Sequence, residues 1–485
     1  MSDSAKIVDV TRVMADSAAL KRVSARNARR WGVLPLSVDE DVIRVVMVDE
    51  ENDNAISQLE SSTRLAVQVL PARDSKAVAA AIERYYNTDE TENTGTPLGL
   101  LEDVVNRALQ IRCSDIHVDP GSRRGLVRMR VDGVMRVERE LSLEEAAEVV
   151  MAIKVASRLD IAERRMPQDG QMSLTSLGEE ISMRVATIPT IRGEKVTLRI
   201  LATESVAADL ASLDTLGMRD RHDAMMYAVL KNPNGVILLS GPTGSGKTTT
   251  LYAALRHLNR PGTSHIISVE NPVEIPMDGI NQVHIDADRV SFAGSLRSIL
   301  RHDPDVIMIG EIRDEETADI AVKSALTGHL VLSTLHANDS VGVITRLLNL
   351  GVTADLIVSS LRLVIAQRLV RRPCPHCCEW REPSEELREE FGWAPDDDMQ
   401  VPVAKGCPLC GWTGHAGRLG LFEMIPFDAS IRRLIREGAS EEHLARHLYD
   451  ERGLPTLARD GADKVRKGWT TVEEVRRVVL FGESA

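Results

Sequence analysis

The stretch VILLSGPTGSGKTTTLYAAL, Val236 to Leu255, constrains the fold more than any other part of the chain. An apolar run with a buried-strand pattern breaks into glycines, and a helical pattern follows. Gly241 to Thr248 reads GPTGSGKT and satisfies G-x-x-x-x-G-K-[ST] in full. Glycines let backbone N–H groups curl around phosphate oxygens. Gly241, Pro242, Thr243, Gly244, Ser245, Gly246, Lys247, Thr248 and Thr249 are therefore the expected cradle for ATP. Lys247 is placed to reach the β- and γ-phosphates, and the Thr248 hydroxyl to ligate Mg²⁺. Such a loop belongs at the carboxyl edge of a parallel sheet, so the motor region is expected to be α/β. From about Arg219 onward the pattern does become strand–loop–helix repeats.

The other half of the site is expected on neighbouring strands. In DPDVIMIGEIRD, Val306 to Ile309 is the apolar run, and Glu311 follows at its carboxyl end, where ligands bind in open α/β sheets. Gly310 stands where many such sites carry an acid, so Glu311 is expected to act on Mg²⁺ through water. In ISVENPVEI, Glu270 and Glu274 flank a turn at Pro272, and either is a candidate to accept the proton of an attacking water. In TGHLVLSTLHAND, His329 and His336 bracket a further apolar strand and are candidates beside the phosphates.

A chain of 485 residues is too long for one core. The most turn-rich and acidic stretch, YYNTDETENTGTPLGL, separates two patterned regions. The expected organisation is an N-terminal α+β domain (1–87), a linker (88–98), a second α+β domain (99–203), a linker (204–218) and the α/β domain (219–485). DVIRVVMVD reads as a strand and DSKAVAAAIERYY as a closing helix. LVRMRVDGVMRVER reads as a hairpin about Asp132-Gly133, and EEISMRVATIPTIRGEKVTLRIL as a second with Pro189 to Gly193 in its turn.

The net charge of -13 and an aromatic content of 3% argue against phosphate tracking and base stacking, so no nucleic-acid partner is expected. No apolar run is long enough to span a bilayer, and the first residues lack a secretory pattern, so the expected location is the cytoplasm. Of six cysteines, five lie between Cys374 and Cys410. Cys374-Pro-His-Cys377 and Cys407-Pro-Leu-Cys410 form a pair of C-x-x-C knuckles, the arrangement that presents four thiolates to one structural Zn²⁺. They are expected within an insert (372–420) of the α/β domain, with SEELREEF as a helix between them.

GPTGSGKTTTLYAAL, VENPVE, RHDPDVIMIGEIRD and TGHLVLSTLHAND, in this order, resemble the secretion ATPase family, the motors of type II secretion and type IV pilus assembly. The likeness continues through SDIHVDP, RMPQDGQ, RVATIPTIRGEKVTLRIL, AQRLVRRPCPHC and GCPLCGWTGHAGRLGLFE, and so spans roughly Leu100 to the C-terminus. It implies a hexameric ring in which a sensor-like (PAS-like) domain precedes a RecA-like motor. It also implies recruitment to the inner membrane by a protein partner, through the N-terminal domain. By motif position, Lys247 and Glu311 look like the phosphate-loop lysine and the Walker B glutamate, Glu270 and Glu274 like the acids of the aspartate box, and His329 and His336 like the histidine-box pair. Arg184, Arg199, Arg297 and Arg301 look like the nucleotide-contacting arginines; the alternative for each is a surface ion pair. Asn271 replaces the usual Asp, Asp119 the usual Glu, and His415 a common Tyr. Some relatives bind a cyclic dinucleotide through Arg-Leu-Gly repeats; this chain has none, so that ligand is not expected. The expected function is ATP hydrolysis that powers type II secretion, with type IV pilus assembly as the alternative; pilus retraction, nucleic-acid translocation and a non-hydrolysing ring are the further rivals.

Overall fold

The computed structural model describes residues 8, 10, 13, 15–39, 41–49, 52–86, 96–111, 113–176, 179–201, 212–285, 291–395, 398–410 and 412–479. The body of the first expected linker and most of the second lie outside them. The chain divides into two compact units. The first comprises Met1–Thr203, Pro373–Glu379 and Val403–Gly417, the second Glu204–Arg372, Trp380–Pro402 and Arg418–Ala485.

The first unit holds two sheets. In the N-terminal one, strand Val42–Met47 pairs antiparallel with Val33–Asp39 and parallel with Ala66–Pro71. The parallel pair is joined through helix Asp53–Thr63, as a parallel pair requires a crossover. Helix Ser75–Tyr86 closes the domain, and the Tyr85 hydroxyl ties down the start of the chain by donating to the Val13 carbonyl (2.9 Å). The second sheet has six antiparallel strands in the order Val134–Leu141, Gly125–Val131, Cys113–Asp119, Gly193–Ile200, Glu179–Thr190, Gln168–Ser176. One face alternates apolar (Ile116, Val118, Val127, Met129, Val185, Leu198) and packs on Val149 and Ile153 of helix Leu143–Ala156. A capping box between Ser142 and Glu145 starts that helix. Asp132 and Gly133 both take positive φ (48° and 81°), as a two-residue hairpin turn demands. The second hairpin turns one step later than its sequence suggests: Pro189 stays in the strand opposite Glu194, and Ile191 and Arg192 make the turn.

The second unit is built on a seven-stranded sheet in the order Asn281–His284, Ile266–Glu270, Val306–Ile309, Leu330–Leu335, Gly235–Ser240, Leu361–Pro373, His415–Pro426. The first six strands run parallel to one another. The strands at Gly235, Ile266, Val306 and Leu330 are buried at every position, which explains their continuous apolar runs. This is an α/β architecture consistent with a RecA-like phosphate-loop ATPase plus accessory domains. At the C-terminus, Glu474 in helix Val472–Val478 accepts from the backbone N–H (2.9 Å) and guanidinium (2.7 Å) of Arg371, clamping the tail to the strand Leu361–Pro373.

The insert does not behave as one piece of the α/β domain. Both knuckles belong to the first unit, whereas residues 380–402 belong to the second. The reason lies in which cores the apolar residues join. Leu409 enters the core of the N-terminal domain, while Phe391, Trp393 and Val401 pack with Leu421 and Val465. The expected helix is present as Glu385–Phe391, capped by Ser384.

Candidate nucleotide site and metal centre

The phosphate loop leaves the buried strand Gly235–Ser240 and enters helix Lys247–Asn259. Gly241, Gly244 and Gly246 have φ of 142°, 78° and 88°, a region other residues rarely enter. A Cβ on Gly241 would stand 2.5 Å from the Gln367 carbonyl oxygen, and one on Gly246 2.8 Å from Gln367 Nε2. Glycine is thus required twice, for conformation and for space. Lys247 folds back, its Nζ donating to the carbonyls of Gly241 (2.6 Å) and Pro242 (3.0 Å). Burial lowers its pKa, Glu311 opposes that shift and Arg368 adds to it. The Ser245 hydroxyl is buried and has no hydrogen-bond partner, an unfilled polar position inside the loop. Thr248 is half-buried and Thr249 exposed in the first turn of the helix, whose N-terminus favours anions. The glycine cradle, the ammonium and the unpartnered hydroxyl fit a polyphosphate, and the Thr248 hydroxyl is of the type that would hold Mg²⁺.

Reasoning from residue types missed two contributors. Thr250 donates to Oε1 of the buried Gln367 (2.8 Å), fixing the helix to the neighbouring strand. Arg368 donates to the carbonyls of Gln367 (3.1 Å) and Asn338 (2.6 Å), and its Nη1 would lie 3.2 Å from a Cβ on Gly241. Gln367 and Arg368 both sit in AQRLVRR, whose only signal was family likeness.

Glu311 follows strand Val306–Ile309, as expected, and is largely covered. Arg313, unremarked in the sequence, binds its carboxylate, and His336 Nε2 stands 3.7 Å from Glu311 Oε2. Thr334 donates to the Gly310 carbonyl (2.7 Å), and Ile312 N–H to that of Thr334 (2.9 Å), so the two strand ends are held in register.

Other expected residues separate. His329 precedes strand Leu330–Leu335 and His336 follows it. Six residues of strand span about 20 Å, so His329 lies at the opposite edge of the sheet, with its ring against the Ser324 carbonyl (2.8 Å). Two histidines can bracket a strand without sharing a site. Glu270 is 2% exposed and accepts from Tyr252 Oη, from Ser268 Oγ (2.6 Å) and from Gln282 Nε2 (3.2 Å). It is a buried, fully engaged carboxylate and not a poised base. Glu274 is exposed, as is Asn271. The Tyr252 hydroxyl also accepts from the backbone of Glu274 (3.2 Å), so the turn is built around it.

Arg297 in helix Phe292–Ile299 is bound by Glu316, the surface ion pair weighed as its alternative. Arg301 lies past the end of that helix and donates to the Arg297 carbonyl (3.1 Å). Arg184 and Arg199 belong to the other unit, where they are register partners on adjacent strands, and Asp115 holds Arg199 at 2.8 Å.

The sulfurs of Cys374, Cys377, Cys407 and Cys410 lie within 4.8 Å of one another. Three of their separations are 4.0 Å (374–407), 3.9 Å (377–410) and 3.8 Å (407–410). A tetrahedron of sulfurs about 2.3 Å from a zinc ion has edges of about 3.8 Å, so the geometry fits Zn²⁺ closely. All four are free thiols, too far apart for disulfides. The N–H groups of Gly406 (to Cys377, 3.2 Å), Cys407 (to Cys410, 3.3 Å) and Gly414 (to Cys410, 3.2 Å) point at sulfur, as expected around thiolates bound to a metal. Cys378 is outside the cluster.

Comparison with known proteins agrees with this chemistry. Residues 90–477 match the family model described as "Type II/IV secretion system protein", and residues 5–92 match the MshEN domain. The chain is 43% identical over 419 residues to type II secretion system protein E of Pseudomonas aeruginosa, covering 86% of this chain and 82% of that one. It is 41% identical over 421 residues to type II secretion system ATPase E of Vibrio cholerae, with coverage of 86% and 82%. In fold it resembles the crystal structure of the Legionella pneumophila ATPase DotB, with a TM-score of 0.58 at 21% identity over 79% of this chain and 95% of that one. The four ordered motifs, the glycine-lined loop and the four-cysteine cluster thus stand in a chain that belongs to the type II/IV secretion ATPase family.

Proposed function

We propose that this chain hydrolyses ATP to power type II protein secretion, as a hexameric ring held at the cytoplasmic face of the inner membrane through a protein partner. The observation that carries the reading is the convergence of the phosphate loop, the Glu311–His336 pair and the Arg313 clamp on the carboxyl ends of adjacent strands. Lys247 and the loop amides bind the phosphates. Glu311 polarises the attacking water, while Arg313 and His336 fix its orientation. Glu274, exposed on its turn, takes up the proton of the attacking water. Thr248 and Glu311 are the residues that would hold Mg²⁺, which would neutralise phosphate charge when bound with ATP.

Association through a partner is compatible with the helices: none among the described residues is long and apolar enough to cross a bilayer. Assembly of type IV pili is the second reading, favoured by the same family match. The test is complementation of strains lacking their own secretion or pilus-assembly motor, together with ATPase assays with and without single-stranded DNA. Restored secretion that is lost in Lys247→Ala supports the reading. Restored piliation alone selects the second, and stimulation by DNA contradicts both.

A further inference from the structure

The Cys407–Cys410 knuckle has neighbours that a purely local metal staple does not need. Leu409, between its cysteines, is 9% exposed and shares one core with Leu34, Leu36, Val45 and Leu59 of the N-terminal domain. Cys407 packs against the same core. The knuckle turn Pro408–Cys410 lies against strand Val33–Asp39. In that strand Val33, Leu34, Pro35, Leu36 and Ser37 are all buried, so both of its faces are covered, although it stands at the edge of its sheet. Leu409 is more than 300 residues downstream of this strand, so the contact is tertiary and not an accident of chain proximity.

The knuckle cannot hold this shape by packing of its own. It is a short turn between glycines at positive φ (Gly406, 112°; Gly414, 74°), and its backbone N–H groups are directed at cysteine sulfurs. Whatever fixes the sulfurs therefore fixes where Leu409 points. We propose that this knuckle is the docking surface for the N-terminal domain of the same chain, and that the metal held by Cys374, Cys377, Cys407 and Cys410 gives the surface its shape. Metal and N-terminal domain are then coupled: releasing the ion releases Leu409 from its socket, and the edge strand with it. The coupling rests on the four-cysteine cluster binding a metal and is independent of whether the motor hydrolyses ATP.

The experiment is hydrogen exchange on the full-length protein, read at the amides of Val33–Asp39 and Val42–Met47, with zinc content measured on the same samples. Leu409→Asp is expected to keep its zinc and to exchange at these strands about tenfold or more faster, the factor expected for losing one buried leucine contact. Removing zinc from the wild type with a chelator is expected to produce the same acceleration. Leu409→Ala, a milder change, is read in place of Leu409→Asp if that variant loses its metal. Unchanged exchange in a Leu409 variant that retains zinc overturns the docking assignment. Unchanged exchange after complete metal removal overturns the coupling.

Discussion

Nε2 of His336 stands 3.7 Å from Oε2 of Glu311, although the two residues end different strands. Arg313 takes the other oxygen of the same carboxylate. A carboxylate held from both sides presents a fixed lone-pair direction, which is what the orientation of an attacking water requires. His336→Ala is therefore expected to lower turnover about tenfold with little change in nucleotide affinity. Steady-state kinetics beside an ADP titration separate the two effects.

The two acids of the VENPVE turn are expected to diverge. Glu274→Gln should slow hydrolysis by about 100-fold, the lower range for removal of a general base. Glu270→Gln should instead destabilise the protein by about 1–3 kcal/mol, because Tyr252, Ser268 and Gln282 would face an amide in place of the acceptor they share. Turnover and thermal denaturation of both variants check this.

Arg368 adds positive charge behind the phosphate loop and ties the segment after strand Leu330–Leu335 to it. Arg368→Gln should weaken binding about tenfold for ATP and less for AMP, while Arg368→Lys restores part of the loss. Equal losses for ATP and AMP would mean that only the shape of the loop was damaged.

Glu474 gives a pH signature. Burial alone would raise its pKa, but hydrogen bonds from Arg477 and Arg371 prevail and pull it down to about 2, from 4.5. The folded state then binds this proton less readily than the unfolded state. The contribution is complete above pH 4.5 and is lost as pH falls towards 2. Because Arg477 is 41% exposed, screening limits it to roughly 2 kcal/mol. Glu474→Gln should be less stable at neutral pH and should lose less on acidification through this window, as urea titrations at several pH values would show.

The metal centre predicts one zinc per chain by elemental analysis. Cys374→Ser or Cys410→Ser should lose the metal and lower thermal stability, because structural zinc contributes directly to folding. Fully folded protein without zinc would contradict the assignment.

The legible parts of this chain are those where local chemistry dictates geometry. Gly241 and Gly246 stand where their motif places them because the loop has neither the space nor the backbone conformation for a side chain, and Asp132-Gly133 turns where both positions need positive φ. The paired C-x-x-C spacing likewise brings the sulfurs together. Illegible were relations created by tertiary neighbours. Nothing near Glu270 announces that Tyr252 will cap it, and Arg313 and Arg368 look like ordinary surface arginines; the motif groups His329 with His336 although the strand between them sets the two apart. The division of the cysteine insert was hidden for the same reason: the destination of Leu409 is set by a core more than 300 residues away.

The central claim is that Glu311 activates water at a site where Lys247 binds phosphate. The most direct measurement is ATP affinity and single-turnover hydrolysis in Glu311→Gln, with Lys247→Ala as the binding control. The account predicts that Glu311→Gln binds ATP within about twofold of wild type and hydrolyses it at least about 100-fold more slowly, while Lys247→Ala fails to bind. Hydrolysis at the wild-type rate in Glu311→Gln, with its binding intact, would contradict the account.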